Sequence, residues 1–203
     1  MPYINLATGA FGLSADQVRS ILANVSFSEG ADLTAHGFGP YAETAPPAAG
    51  WWQVVSEAEP MDGEQVWSVE DRPLEAVRAD WNALVTARRD AVFAGGYSPS
   101  TGALAGHTLQ VRDERDKINW LTSQASYLAA IQGGHGAVLG ATFRTAANDT
   151  VVASYAEGFQ IIVVGMATWG AAIMNRSWAL KDEGAAVGTL EDLLTIDIEV
   201  GWP

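Results

Sequence analysis

The chain has 203 residues, of which 48% are hydrophobic and 17% charged, with no cysteine and a formal net charge of −13. This length suffices for one domain, or for one domain with a small appendage, and for a sizeable core. Without cysteine, disulfide scaffolds, thiolate metal sites and cysteine nucleophiles are excluded. Eleven Lys and Arg residues argue against a nucleic-acid partner, because phosphate binding needs clustered positive charge. A charged fraction below the roughly 25% of typical soluble domains indicates surface that is buried against something, such as other subunits.

Residues 1–70 predict a small β-rich module with one short helix. A capping-box pattern, a serine followed three residues later by a glutamine, predicts a helix over Ala15–Ala23. After an irregular segment rich in Gly and Pro, two strands are predicted, Trp51–Ala58 and Gln65–Glu70, joined by a Pro-Met-Asp-Gly turn. A unit of this size buries little apolar surface, so the sequence leaves open whether it folds alone or docks onto the rest of the chain.

Residues 71–203 predict a helical domain with β-hairpins, so the predicted fold class is α+β. Three long helices alternate with short β-elements, and polar residues such as Asp113 and Thr189 are suited to cap helix starts. The elements in chain order are a helix from Asp71 and Pro73 to Gly95, a strand Thr108–Val111, a helix from Asp113 to Gly133, strands Ala141–Thr145 and Thr150–Ala153, a helix Ser154–Ala179 and a last helix Thr189–Ile196.

The long helices carry apolar stripes at spacings of three and four residues. The first stripe contains Leu74, Val77, Trp81 and Leu84. Such stripes favour helix packing, either between copies of the chain or within one monomer, and they do not determine how many helices associate. The stripe of the second helix consists of Ile118, Leu121, Ala125 and Leu128, with Trp120, Tyr127 and Ile131 beside it.

The third helix is predicted to be the most buried, because it is apolar on nearly all sides. Its apolar run Phe159–Met174 is shorter than the ~20 residues that span a membrane, so we expect no membrane span. The sequence leaves open whether its stripe is a core face or an oligomer contact. The stripe consists of Tyr155, Phe159, Ile162, Met166, Trp169 and Ile173.

The sequence shows no pattern of residues that would carry catalysis or hold a metal. Each of the three histidines stands alone in a glycine-containing loop, and the glycine-rich pieces lack the order of a phosphate-binding loop. Asp113, Glu114 and Asp116 alternate with basic residues, which predicts a solvated helix start with ion pairs Arg112–Asp116 and Asp113–Lys117. We therefore expect a protein that is not an enzyme and that uses no cofactor and no metal.

Two further groups of residues are candidates for binding, and only the tryptophans leave that function open. Trp51, Trp52 and Trp67 fall in the predicted β-unit, where exposed tryptophans can stack on sugars or on partner side chains. Neighbouring strand positions face opposite sides of a sheet, so one of Trp51 and Trp52 is expected to be exposed. Asn148-Asp149 lies between the strands of the second hairpin, where both residues tolerate a positive φ, and predicts a turn and not a ligand site.

The second part of the chain resembles a domain family of unassigned function that is common in tail-fibre and distal tail proteins of tailed bacteriophages. The matching segments keep their order and cover most of residues 74–203. The segments are ARRDAVFAGGY (Ala87–Tyr97), HTLQVRDERDKINWL (His107–Leu121), TFRTAANDTVVASYAEG (Thr142–Gly158), RSWALKD (Arg176–Asp182) and LTIDIEVGWP (Leu194–Pro203). Before them, LSADQVRSILANVSF, the segment Tyr41–Pro47 and VVSEAEPMDGEQVWSVEDRPLEAV are similar to a small N-terminal module often found ahead of this domain.

The resemblance implies a structural protein of the virion, located in the tail or its fibres and made in the host cytoplasm. It implies other tail proteins as partners and a homo-oligomer, with a trimer favoured because tail fibres are usually trimers. It implies no catalytic residue. The alternatives are a glycan-binding module for host recognition and a tail-fibre assembly chaperone that is absent from the finished particle.

Overall fold

A computed structural model describes residues 2–203 and has the predicted α+β class, with 44% helix and 19% strand. The strands form three separate antiparallel pairs. The chain divides into two compact units between Pro73 and Leu74.

The first unit has a small core under a two-stranded sheet that the sequence did not predict. Strand β1 (Tyr3–Asn5) pairs with β2 (Phe38–Pro40), and helix α1 (Ala15–Ile21) packs against them. The predicted capping box is confirmed, because the Ser14 Oγ accepts from the Gln17 N–H at 3.2 Å and the Gln17 side chain accepts from the Ser14 N–H at 2.7 Å. The buried core residues of this part are Tyr3, Val18, Leu33 and Phe38.

A hairpin of two longer strands completes the first unit. Strand β3 (Gln53–Met61) pairs with β4 (Glu64–Asp71). Asp62 and Gly63 connect them with φ values of 55° and 79°, as the two-residue type I′ turn of a hairpin requires. Asp71 pairs with the first residue of β3, so the helix predicted from Asp71 and Pro73 begins only at Leu74.

The second unit is built around one continuous helix of 32 residues, Tyr155–Ala186. Its middle is wound as a π-helix, in which the Ala167 N–H reaches the carbonyl of Ile162 five residues back. The elements of this unit are α2 (Leu74–Gly95), α3 (Glu114–Gln132), β5 (Leu139–Arg144), β6 (Thr150–Ser154), α4 (Tyr155–Gln160), the π-helical segment Ile161–Met166, α5 (Ala167–Ala186) and α6 (Leu190–Thr195).

The two halves of the long helix pack on different partners. Helix α3 packs on α4, and α2 packs on α5, where the ring of Trp81 lies directly on the bare Cα of Gly184. A Cβ at position 184 would lie 2.6 Å from that ring. The β5–β6 hairpin adds Ala141 and Phe143 to the core beside α4.

Three predicted details of this unit are wrong. The third helix does not end at Ala179 but continues to Ala186. The predicted strand Thr108–Val111 is reduced to one bridge between Tyr97 and Leu109. In α2 the inward position after Trp81 is Val85, whereas Leu84 is exposed, because the buried face drifts with the 3.6-residue period of the helix.

In the folded chain the third helix is longer than the apolar run Phe159–Met174, so its length does not exclude a membrane span. In the described part of the chain, the helix Tyr155–Ala186 is long and apolar enough to cross a membrane by length and composition. Helices of a protein core meet the same two conditions. Here both halves of the helix contact other helices of the same unit, and Ile162 and Ile173 are buried in those contacts.

Candidate functional site

The three tryptophans of the first unit do not form one platform. Trp51 and Trp52 lie in a turn before β3, so the prediction that they occupy opposite faces of a strand is wrong. Their rings meet edge to face at 6.0 Å, and Trp51 is 40% exposed. Trp67 pairs with Glu57 on the hairpin, about 17 Å along the strand from Trp52 by the rise per residue. Its indole N–H donates to Thr44, so Trp67 is held inside its own unit.

The six stripe residues of the third helix lie in or against the core of the second unit. Ile162, Met166 and Ile173 are buried, and Tyr155 and Phe159 pack beside the core cluster. Trp169 is wedged between two rings of the same unit, with Phe93 at 5.5 Å and Tyr97 at 5.7 Å. This stripe is occupied within a single chain.

The polar hairpin turn before α4 is a scaffold. Asn148 and Asp149 are both exposed, and only Asn148 has a positive φ, of 69°. The Arg144 side chain holds the turn, because its Nε donates to the Asn148 Oδ1 at 2.7 Å and its Nη1 to the Thr150 Oγ1 at 2.7 Å. Each polar group in these contacts thus has a structural partner.

At the start of α4 only one half of a capping box is present. The Ser154 Oγ accepts from the Glu157 N–H at 3.2 Å. The Glu157 carboxylate does not return to Ser154 and accepts instead from the Ala103 N–H at 2.6 Å, across a gap of 54 residues in sequence. Glu157 therefore fastens the loop before α3 to the long helix. A pocket of about 260 Å³ beside this contact is lined by Tyr97, Gln160 and Gly165 among others.

The acidic cluster at the start of α3 stabilises the helix. Asp113 is the N-cap and accepts from the Asp116 N–H at 2.9 Å, as predicted. The predicted pair of Arg112 and Asp116 is confirmed at 3.2 Å. Partial burial raises the pKa of Asp116, but hydrogen bonds from the Arg112 side chain and backbone lower it more, so the pKa lies below the ordinary aspartate value. Among residues 2–203 no group of three or more His, Asp or Glu side chains is placed to hold a metal ion.

A polar pocket of about 230 Å³ lies next to this helix start. Trp120 forms one wall, stacked on Phe143 at 5.9 Å and with its indole N–H bonded to the Gln110 carbonyl at 2.8 Å. Asp116 and Arg144, which also line the pocket, already bind partners of their own. The pocket has room for a small polar molecule, but the charged side chains that line it already bind other residues of the chain.

The outward side of α3 is an apolar surface that is exposed in the described chain. Ile118, Leu121 and Leu128 are 54%, 65% and 38% exposed, and Ala125 is exposed as well. We call these four residues the α3 outer face. The sequence left open whether this stripe packs within one monomer or between copies, and in the described chain it is exposed. The side that packs on the core of the second unit carries Trp120 and Tyr127.

The α3 outer face also lacks charge. Between Lys117 and Gln132 the helix contains no Asp, Glu, Lys or Arg. A helix that is apolar on two sides normally has both sides covered. In the described chain the side with Trp120 and Tyr127 is covered, whereas Ile118, Leu121 and Leu128 are exposed. Sequence periodicity detected the stripe but could not say which apolar side faced its own core.

Comparison with known proteins identifies a family but no activity. The family described as Domain of unknown function (DUF4376) matches residues 76–200, which is most of the second unit. Comparison with curated proteins gives no match. Comparison with solved structures gives no match either. Because the family match spans more than half of its residues, the chain belongs to the DUF4376 family, whose function is unknown.

Proposed function

We propose that this protein is a non-enzymatic structural component of a bacteriophage tail, a tail-fibre or fibre-attachment protein that contributes to virion assembly and host attachment. The observation that carries the proposal is the uncovered, uncharged α3 outer face. A protein whose function is to pack against other chains needs such a surface. The tail as the place of assembly is supported by the ordered segments that resemble phage tail proteins.

Covering the α3 outer face would remove apolar side chains from water, which lowers the free energy of the assembly. Burying a Leu or Ile side chain contributes about 1.5–3 kcal/mol, so covering three large side chains would yield several kcal/mol of association energy. Exposed hydrophobic residues that are scattered singly need no explanation, but four at helical spacing form a continuous stripe, of the kind that marks interaction sites. The stripe provides the surface for assembly without any catalytic group.

The experiment combines solution mass with virion composition. Light scattering over a dilution series should show an oligomer that dissociates at low concentration, and mass spectrometry of purified virions should find the chain in the particle. A monomer at every concentration together with absence from virions would overturn the proposal. An oligomer that is present in infected cells and absent from virions would replace it with the assembly chaperone.

A second candidate function is glycan binding by the first unit, and the exposure of Trp51 favours it. The 40% exposed ring projects from a turn and is braced by Trp52, and stacking on sugars needs such an accessible ring. Trp51→Ala should abolish binding to host cells or to their surface polysaccharide while circular dichroism stays unchanged. Trp178→Ala is the matched control, since Trp178 is an exposed tryptophan of the second unit. Unchanged binding by folded Trp51→Ala would end this hypothesis.

A further inference from the structure

We infer that the α3 outer face is covered by α3 of a second copy of the same chain, as a short coiled-coil contact. This inference rests on the proposed function and deepens it by naming the partner of the exposed face. Four observations on α3 support a second copy as the occupant: the register of the stripe, its position relative to the core, its lack of charge and its exposure in the single chain.

The register of the stripe is that of a coiled-coil seam. Ile118 and Ala125 are seven residues apart, as are Leu121 and Leu128, and the two pairs are offset by three residues. These are the a and d positions of two heptads, with Ile and Ala at a and Leu at d. Knobs-into-holes packing requires the same spacing on the partner helix, and a second α3 supplies it. The small Ala125 side chain allows two helices to approach closely at the middle of the stripe.

The position of the stripe excludes the core of its own unit as the cover. Tyr127 is buried and follows Ala125 by two residues, which is about 200° around the helix. Trp120 likewise stacks on Phe143 inside the unit. Leu121 and Leu128 follow Trp120 and Tyr127 by one residue, about 100° around the helix, and their exposures of 65% and 38% show that they lie outside that core. The stripe thus remains available after the unit has folded.

Charge favours contact between copies at this helix face. Each chain carries a net charge of −13, so two copies repel each other over most of their surfaces. Exposed carboxylates such as Asp80 on α2 and Asp182 on α5 would come together if those helices met their counterparts. From Ile118 to Leu128 the α3 outer face has no charged residue, and positions beside this stretch such as Thr122 and Ala129 are uncharged. Glu114 lies one turn before Ile118 on the same side of the helix, and Lys117 directly precedes Ile118. Along the stripe itself, two acidic copies can meet without opposing like charges.

The absence of cysteine in the chain makes a direct test possible. Ala125→Cys places a single cysteine at an a position, where it faces its own counterpart in a parallel pair of helices. Ser126→Cys is the control, because position 126 is exposed on the same helix but lies one position outside the seam. Mild oxidation of the Ala125→Cys chain should give a disulfide-linked dimer, with two thiols losing two electrons and two protons to added oxidised glutathione. If the helices are antiparallel, the link should form instead between Ala125→Cys and Leu121→Cys in a mixture. Ser126→Cys should remain unlinked in either case.

A charge substitution provides the second measurement. Leu121→Glu should raise the dissociation constant of the oligomer at least about 10-fold, since it removes a buried leucine and places two carboxylates in the seam. The fold should persist, because Leu121 is 65% exposed in the single chain. Trp178→Glu changes an apolar residue on α5 that is 56% exposed, and it should leave the dissociation constant unchanged.

The outcomes separate this inference from the proposed function. An oligomer that survives Leu121→Glu and forms no disulfide in any of the cysteine pairs overturns the α3 pairing and leaves the virion role standing. If virions made with Leu121→Glu lack another virion protein while self-association of the chain is unchanged, the α3 outer face binds that protein and not a second copy. This result would overturn the inference. A chain that stays monomeric, forms no disulfide and is missing from virions overturns both. If Leu121→Glu fails to fold, the cysteine variants decide the question alone.

Discussion

Gly158 lies where the long helix packs on the β5–β6 hairpin, and replacing it by alanine is expected to lower stability. Gly158 is buried in α4, where its missing side chain leaves room for the neighbouring core. A Cβ built there would overlap the Cβ of Ala141 and would lie 3.2 Å from the Tyr127 ring and 3.3 Å from the Phe143 ring. Because the Ala141 Cβ is attached directly to the backbone of β5, no rotation of a side chain can relieve the overlap. Gly158→Ala must therefore move the hairpin away from α4.

Two opposing effects determine the size of the change. Replacing a helical glycine by alanine normally stabilises a protein by about 0.4–1 kcal/mol, because the unfolded chain loses conformational freedom. Overpacking a well-filled core costs about 1–3 kcal/mol. The overlap with a rigid neighbour favours the upper part of that range, so we expect a net loss of about 1–2 kcal/mol in the free energy of unfolding.

The matched control is Gly170→Ala on the same continuous helix. A Cβ at position 170 would meet only the Phe93 ring at 3.8 Å, an ordinary contact, so the propensity gain should remain and Gly170→Ala should stabilise the chain. Urea unfolding followed by helix circular dichroism measures both variants, with the midpoint as the readout. The predicted overlap at position 158 is contradicted if Gly158→Ala is as stable as the unchanged chain. It is also contradicted if the two variants shift the urea midpoint in the same direction.

Three further predictions concern individual polar contacts. Burial, followed by the hydrogen bond to Glu57, raises the pKa of Tyr41 to about 12. This tyrosine therefore stabilises the first unit below its ordinary pKa of 10.0, and the contribution is lost as pH rises towards about 12. Chemical unfolding measured across this window should show a fall in the free energy of unfolding that Tyr41→Phe lacks. The pKa of Asp116 is lowered by Arg112, so its contribution is present above the ordinary aspartate pKa and lost as pH falls below it; the melting temperatures of the unchanged chain and Asp116→Asn should therefore converge in acid. Ser154→Ala removes the N-cap of the long helix and should cost about 1 kcal/mol in urea unfolding, with Ser154→Asp restoring most of it.

Local signals in the sequence predicted much of the second unit. The helix starts at Asp113 and Thr189 follow from side chains that satisfy backbone N–H groups within three residues, so distant contacts are not needed to specify them. The same locality explains the Ser14 capping box and the Asp62-Gly63 turn. The strands β1 and β2 escaped prediction because their pairing joins segments more than thirty residues apart, and their short sequences carry no periodic pattern.

The apolar positions of α3 and their spacing can be read from the local chain, because helical periodicity is a local property. It could not determine which of two apolar sides faces inward, since both Leu121 and Tyr127 satisfy the pattern. Only the tertiary structure decided this, through the contacts of Tyr127 and Trp120 with Phe143 from the distant β5 strand. The energy of burying aromatic rings against another element fixed the orientation of the helix and left the α3 outer face exposed.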